Sequence, residues 1–138
     1  LLIDTLGELS AVWGLADVAF VGGSLFPGRG GQNMIEPAAY GAAVLFGPHT
    51  QNFRATVEQL LECDGALAVA GPQDLVRALT EALDDPESAA ARGQAARRFV
   101  LAQQGATDRT LAALDRVFVP HLTREKLPAG CPALPLGT

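Results

Sequence analysis

The sequence predicts an α/β domain in which a parallel sheet carries helices on both faces. Three observations predict it. Short apolar runs, at 17–21, 43–46 and 66–69, have the length and continuity of strands buried on both faces. Stretches with helical periodicity separate them. The first of these runs, Asp17-Val18-Ala19-Phe20-Val21, feeds directly into a glycine-rich loop that leads into a helix.

Taken in order, Leu1-Leu2-Ile3-Asp4 reads as the end of a buried strand. Thr5-Leu6-Gly7-Glu8 fits a capping box, with Thr5 at the N-cap and Glu8 three residues on. A helix over about Leu6 to Trp13 follows and Gly14 ends it. After the strand at 17–21, the loop covers Gly22 to Gln32. Asn33 caps a helix that runs to about Tyr40 and stops at Gly41. Ala43-Val44-Leu45-Phe46 is a short buried strand, and Gly47-Pro48-His49-Thr50 turns the chain. Phe53, Val57, Leu60 and Leu61 form a helical stripe over Gln51 to Glu62. Ala66 to Val69 is a further strand. Gly71-Pro72 opens a helix with Leu75, Val76, Leu79 and Leu83 on one face. Pro86 starts another at an N1-like position. The last predicted helix spans Ala106 to Val117. Pro120, Pro128, Pro132 and Pro135 mark an irregular Pro-rich tail over residues 119–138.

Strand, glycine loop and helix in succession are how an α/β protein presents backbone N–H groups to an anion. Five of the ten residues from Gly22 to Gly31 are glycine, which permits close backbone approach. Glu36 follows one turn into the helix. A carboxylate beside a phosphate repels it, so the natural partner of Glu36 is a neutral hydroxyl pair such as a ribose diol, as in dinucleotide folds. The loops after the first three strands, Asp4 to Glu8, Gly22 to Glu36 and Gly47 to Asn52, are expected to converge where ligands lie, beyond the carboxyl ends of parallel strands.

Composition narrows the function classes. The chain has 138 residues, 49% of them apolar, enough for one sizeable core. A net charge of -5 and a pI near 4.8 argue against a general nucleic-acid surface. No apolar run approaches the ~20 residues of a membrane-spanning helix, and no signal peptide is visible. Cys63 and Cys131 lack metal-like spacing and read as reduced thiols of a cytosolic protein. No Asp-x-Asp or histidine cluster suggests a donor-site metal. The abrupt start without Met reads as part of a longer protein that holds a ligand here and keeps its catalytic group elsewhere.

Four segments, Asp4-Thr5-Leu6-Gly7-Glu8-Leu9, Ala16 to Ser24, Gly30-Gly31-Gln32-Asn33-Met34-Ile35-Glu36-Pro37-Ala38 and Gly47-Pro48-His49-Thr50-Gln51-Asn52-Phe53, occur in an order and spacing that resemble the C-terminal domain of 3-deoxy-D-manno-octulosonic acid (Kdo) transferases. These are GT-B fold glycosyltransferases of lipid A synthesis. The resemblance covers roughly residues 1–115. It implies a Rossmann-like domain over residues 1–118, the donor-binding half, which takes CMP-Kdo. It further implies inverting, metal-independent transfer of Kdo to a lipid A precursor, without a cofactor, on the cytoplasmic side of the bacterial inner membrane. In the family, an N-terminal domain supplies the membrane contact, the acceptor site and the catalytic carboxylate, so no catalytic residue is expected in this chain. Gln32 stands where many members carry His; either side chain donates a hydrogen bond.

The candidate donor-binding residues are Gly7, Glu8, Ser24, Gly30, Gly31, Gln32, Asn33, Glu36 and Asn52. The amides of Gly30, Gly31 and Gln32 are candidates for the phosphate, with Ser24 as a side-chain donor. Thr5 and Glu8 are explained equally by capping, and Asn52 by capping the helix near Phe53. Arg29 and His49 are either donor contacts or solvated loop residues. Arg97 and Arg98 read as a solvated helix face or, in a longer protein, an interdomain contact, and His121, in the tail, has no evident part. Two other readings stand beside the transferase: another GT-B transferase or a sugar-nucleotide epimerase with UDP or GDP as carrier, and a stand-alone nucleotide-binding module.

Overall fold

A computed structural model of the chain describes residues 2–4 and 7–122, with side chains to Phe118. Thr5, Leu6, Cys131 and the tail beyond residue 122 lie outside the described residues. Helix α1 (Leu9–Trp13) precedes strand β1 (Val18–Val21), and α2 (Ile35–Tyr40) precedes β2 (Ala43–Phe46). A 3-10 turn, Gln51–Phe53, leads into α3 (Arg54–Glu62), β3 (Ala66–Ala68), α4 (Pro72–Asp84) and α5 (Pro86–Gln103). The chain divides into two compact units, the first ending at Gln104. Helix α6 (Ala106–Leu122) belongs to the second and runs beyond the Val117 end that the sequence predicts.

The three strands are parallel in the order β1-β2-β3, with Val18 opposite Ala43 and Val44 opposite Ala66. Side chains alternate across this sheet. Val21, Val44, Phe46 and Ala66 enter one core with Met34 and Ala38, Leu60 of α3, and Ala96 and Val100 of α5. Phe20, Leu45 and Leu67 enter a second core with Leu75, Ala78 and Leu79 of α4. Helices therefore cover both faces, as the apolar runs predict. Phe46, Met34 and Leu60 are completely buried, and each such side chain contributes about 1.5–3 kcal/mol by leaving water.

Helix α5 lies close against the end of α2. A Cβ on Gly93 would stand 1.9 Å from the Gly41 carbonyl oxygen, so only glycine permits that approach. The predicted starts of α4 and α5 hold. Pro72 and Pro86 occupy first-turn positions, and the Asp85 carboxylate accepts the Ser88 N–H at 3.0 Å. At the head of α4, Asp74 accepts the Ala70 N–H at 2.9 Å and pairs with Arg77. The Ala70 N–H first, and Arg77 second, hold the Asp74 carboxyl below its usual pKa.

Two expectations at the chain start are corrected. Residues 2–4 are not a strand: they have no sheet partner and Leu2 is 85% exposed. Apolar character alone does not make a strand without a neighbour to take its hydrogen bonds. Helix α1 begins at Leu9, with Glu8 itself at the N-cap and no side-chain cap bond there, so Glu8 is not the N3 residue of a capping box. Cys63 is exposed and free, at the C-cap of α3, with its thiol donating to the Leu60 carbonyl at 3.5 Å.

Candidate functional site

The loops leaving β1 and β2 meet at the carboxyl edge of the sheet, and Ser24 joins them. It is completely buried. Its hydroxyl donates to the Val21 carbonyl oxygen and accepts the Gly47 N–H at 2.9 Å, while its own carbonyl accepts the His49 N–H at 2.9 Å. In this arrangement the Ser24 hydroxyl proton is committed to the fold, because the exit of β1 must be tied to the exit of β2.

The glycine loop closes on itself. The Gly31 and Gln32 N–H groups, expected from the sequence to face an anion, donate to the Gly23 and Gly22 carbonyls at 3.2 and 3.0 Å. A loop so rich in glycine has much conformational entropy to lose, and these two bonds hold it in one shape. Among the described residues no hydrogen bond engages the Gly30 N–H, whereas its carbonyl accepts the Asn52 N–H at 3.2 Å. The Asn52 side-chain amide donates to the Arg29 carbonyl at 3.0 Å. Gly30 has φ +75°, and a Cβ there would stand 2.7 Å from the Asn52 carboxamide. The left-handed backbone conformation favours glycine, and any larger residue would also displace the Asn52 carboxamide. Asn52 therefore clasps the glycine loop; it caps neither the 3-10 turn nor α3, whose flanking residues make no side-chain cap bonds.

Asn33 stands one residue ahead of the Met34 N-cap of α2. Its side-chain oxygen accepts the Ile35 N–H at 3.0 Å and its side-chain NH2 donates to Glu36 Oε1 at 2.9 Å. The predicted capping function is there, displaced by one position, and the same side chain orients the half-buried Glu36 carboxylate. A carboxylate held through one oxygen keeps acceptor capacity for hydroxyl donors.

Gln32, Asn33 and Glu36 line a cleft of about 420 Å³ together with the apolar Leu9, Trp13 and Phe20. Leu9 is the first residue of α1, so Gly7 and Glu8 stand immediately ahead of it; both are exposed. Arg29 is exposed and His49 half-buried on the loops that frame the site. Of the three loops expected to converge, those after β1 and β2 do so through direct hydrogen bonds, and the segment before α1 reaches the site as a helix start. Trp13 and Phe20 also line the cleft, and no motif in the sequence marks them. Trp13 follows Leu9 by four residues and so shares its face of α1.

Among the described residues, no three His, Cys, Asp or Glu side chains gather as a metal-ligand set. No helix among them is long and apolar enough to cross a membrane.

No protein-family model matches the chain. It is 42% identical over 115 residues to a 3-deoxy-D-manno-octulosonic acid transferase of Bordetella pertussis, a match covering 83% of this chain and 27% of that protein. It is 38% identical over 125 residues to the enzyme of the same name from Haemophilus influenzae, covering 90% of this chain and 28% of that protein. The chain thus spans little more than a quarter of the length of the curated relatives it matches. Among solved structures it resembles the C-terminal CMP-Kdo binding domain of WaaA from Acinetobacter baumannii, with a TM-score of 0.66 and 31% identity over 72% of this chain and 51% of that one.

Proposed function

The chain belongs to the 3-deoxy-D-manno-octulosonic acid transferase family, in the part that corresponds to its C-terminal domain, and on that premise we propose that it holds CMP-Kdo for transfer of Kdo to a lipid A precursor. The single observation that carries this reading is the Asn33–Glu36 pair beside the closed glycine loop. A carboxylate fixed by a neighbouring amide presents an acceptor to paired hydroxyls, which suits the ribose of a nucleotide. Held at Glu36, the ribose directs the 5′-phosphate toward the loop. There the Gly30 amide and the exposed Gln32 side chain are the contacts, while Gly31, Ser24 and Asn52 fix the loop's shape. Gly7 and Glu8 stand just ahead of Leu9, which lines the cleft, and border the nucleotide in this reading.

Transfer of Kdo breaks the bond between its anomeric carbon and the CMP phosphate, and negative charge grows on that phosphate. Preorganised hydrogen-bond donors stabilise developing charge without a metal, so transfer needs no metal in this reading, and it is inverting as the family resemblance implies. The proton of the acceptor hydroxyl passes to a base outside this chain. The longer protein supplies that base, the lipid site and the contact with the cytoplasmic side of the inner membrane.

Calorimetric titration of CMP, UDP and GDP into the chain tests the assignment. CMP is expected to bind most tightly, and Glu36→Ala to weaken it by about 1–3 kcal/mol, the loss of a hydrogen-bonding charged group. Preference for a uracil nucleotide would transfer the chain to another class of sugar-nucleotide enzyme.

A further inference from the structure

The glycine loop carries a cation that the fold anchors and leaves without a counter-charge. Arg29 is the only Lys or Arg among residues 1–53, the stretch that includes the glycine loop, Glu36 and the turn after β2. The Asn52 side-chain amide donates to the Arg29 carbonyl at 3.0 Å. The Arg29 stem lies across Gly23, where a Cβ would stand 3.3 Å from Arg29 Cβ and 3.6 Å from its Cδ. Arg29 is exposed, and among the described residues no ion pair engages its guanidinium. Glu36, the carboxylate of the site, is held by Asn33 instead. Solvation of a surface charge requires no such anchoring, whereas a side chain fixed in advance loses less entropy when it takes up a ligand.

We infer that Arg29 takes the carboxylate of the donor sugar and so distinguishes an acidic sugar nucleotide from the bare nucleotide. The inference rests on the reading of the Gly30 N–H as a phosphate contact. The sugar named in the relatives, 3-deoxy-D-manno-octulosonic acid, is a 2-keto acid. In its nucleotide, the carboxylate and the oxygen that leads to phosphate are attached to the same anomeric carbon. A phosphate at the Gly30 N–H therefore puts the carboxylate two bonds beyond the bridging oxygen, beside the residue that precedes Gly30. A planar guanidinium meets a planar carboxylate through two parallel hydrogen bonds. The two negative groups of the donor are then divided between a main-chain N–H and a side-chain cation. A neutral sugar on the same nucleotide leaves Arg29 unmatched, which makes Arg29 a specificity-determining residue.

The 138-residue chain, Arg29→Gln and Arg29→Lys are each titrated calorimetrically with CMP and with freshly prepared CMP-Kdo. The parent is expected to bind CMP-Kdo more tightly than CMP. Arg29→Gln is expected to weaken CMP-Kdo about tenfold, the scale of one hydrogen bond to a charged group, and to leave CMP affinity in place. Arg29→Lys keeps the charge without the fork and is expected to recover only part of the loss. Equal affinity of the parent for the two ligands overturns the inference. So does an Arg29→Gln variant that weakens both ligands alike, which makes Arg29 a phosphate contact, or one that weakens neither, which makes it a solvated residue. In each of these cases, CMP binding by the parent preserves the donor-site reading. If the parent binds neither ligand at saturating concentration, that reading falls as well. Should Arg29→Gln fail to fold, Arg29→Lys carries the comparison, with CMP-Kdo weakened and CMP unchanged as the supporting result and any other pattern against it.

Discussion

Single residues here do more than one job, and the structure separates jobs that the sequence leaves merged. Ser24 is the clearest case. A serine after two glycines at a strand end suggests a phosphate donor, yet its hydroxyl is buried between the Val21 carbonyl and the Gly47 N–H. Ser24→Ala leaves both of those groups without a partner, and a buried unsatisfied polar group costs about 1–3 kcal/mol. Urea denaturation is expected to show a loss of that size in stability, and a variant as stable as the parent would show that the two strand exits hold together without the hydroxyl. Asn52 is similar: the residue type suggests a cap, and only the fold brings its carboxamide against Gly30. Asn33 and Glu36 were legible because they act within one turn of the same chain. A helix start fixes their spacing before any tertiary contact forms.

At the scale of elements, local rules predict best where the partners are close in sequence. The head of α4 illustrates it, with Pro72 in the first turn and Asp74 holding the Ala70 N–H. The Asp74 carboxyl is held below its ordinary pKa, chiefly by the Ala70 N–H and then by Arg77. A depressed carboxyl pKa stabilises the fold above the unfolded pKa, and the contribution is lost as pH falls through the folded one. Asp74→Asn is therefore expected to lower Tm at pH 7, with the difference from the parent shrinking as the pH is taken down to 2. A difference that stays constant over that range would exclude ionisation as its source. Local rules failed for residues 2–4, whose apolar run has no strand to pair with, and for the start of α1. A strand is defined by its neighbour's hydrogen bonds, and a short apolar run states only that burial would be favourable.

For the whole molecule, the proposed donor site assembles at one sheet edge while the chain spans little more than a quarter of its transferase relatives. The expected outcome is a polypeptide that binds donor and does not turn it over. With CMP-Kdo and a lipid A precursor, the chain alone is expected to release no CMP above the uncatalysed rate; Kdo transfer by this polypeptide would put the base inside it. From the sequence alone, the alternation of buried runs and helical stripes determined the α/β class, and the glycine loop with its following carboxylate marked the candidate nucleotide site, because both are patterns within short stretches of chain. Tertiary structure alone decided which loop amides are already engaged, that Ser24 and Asn52 hold the loop, and that Trp13 and Phe20 share a cleft with Glu36. Those relations join residues that are distant along the chain, and hydrogen bonding and packing between them exist only once the sheet has brought the strand ends together.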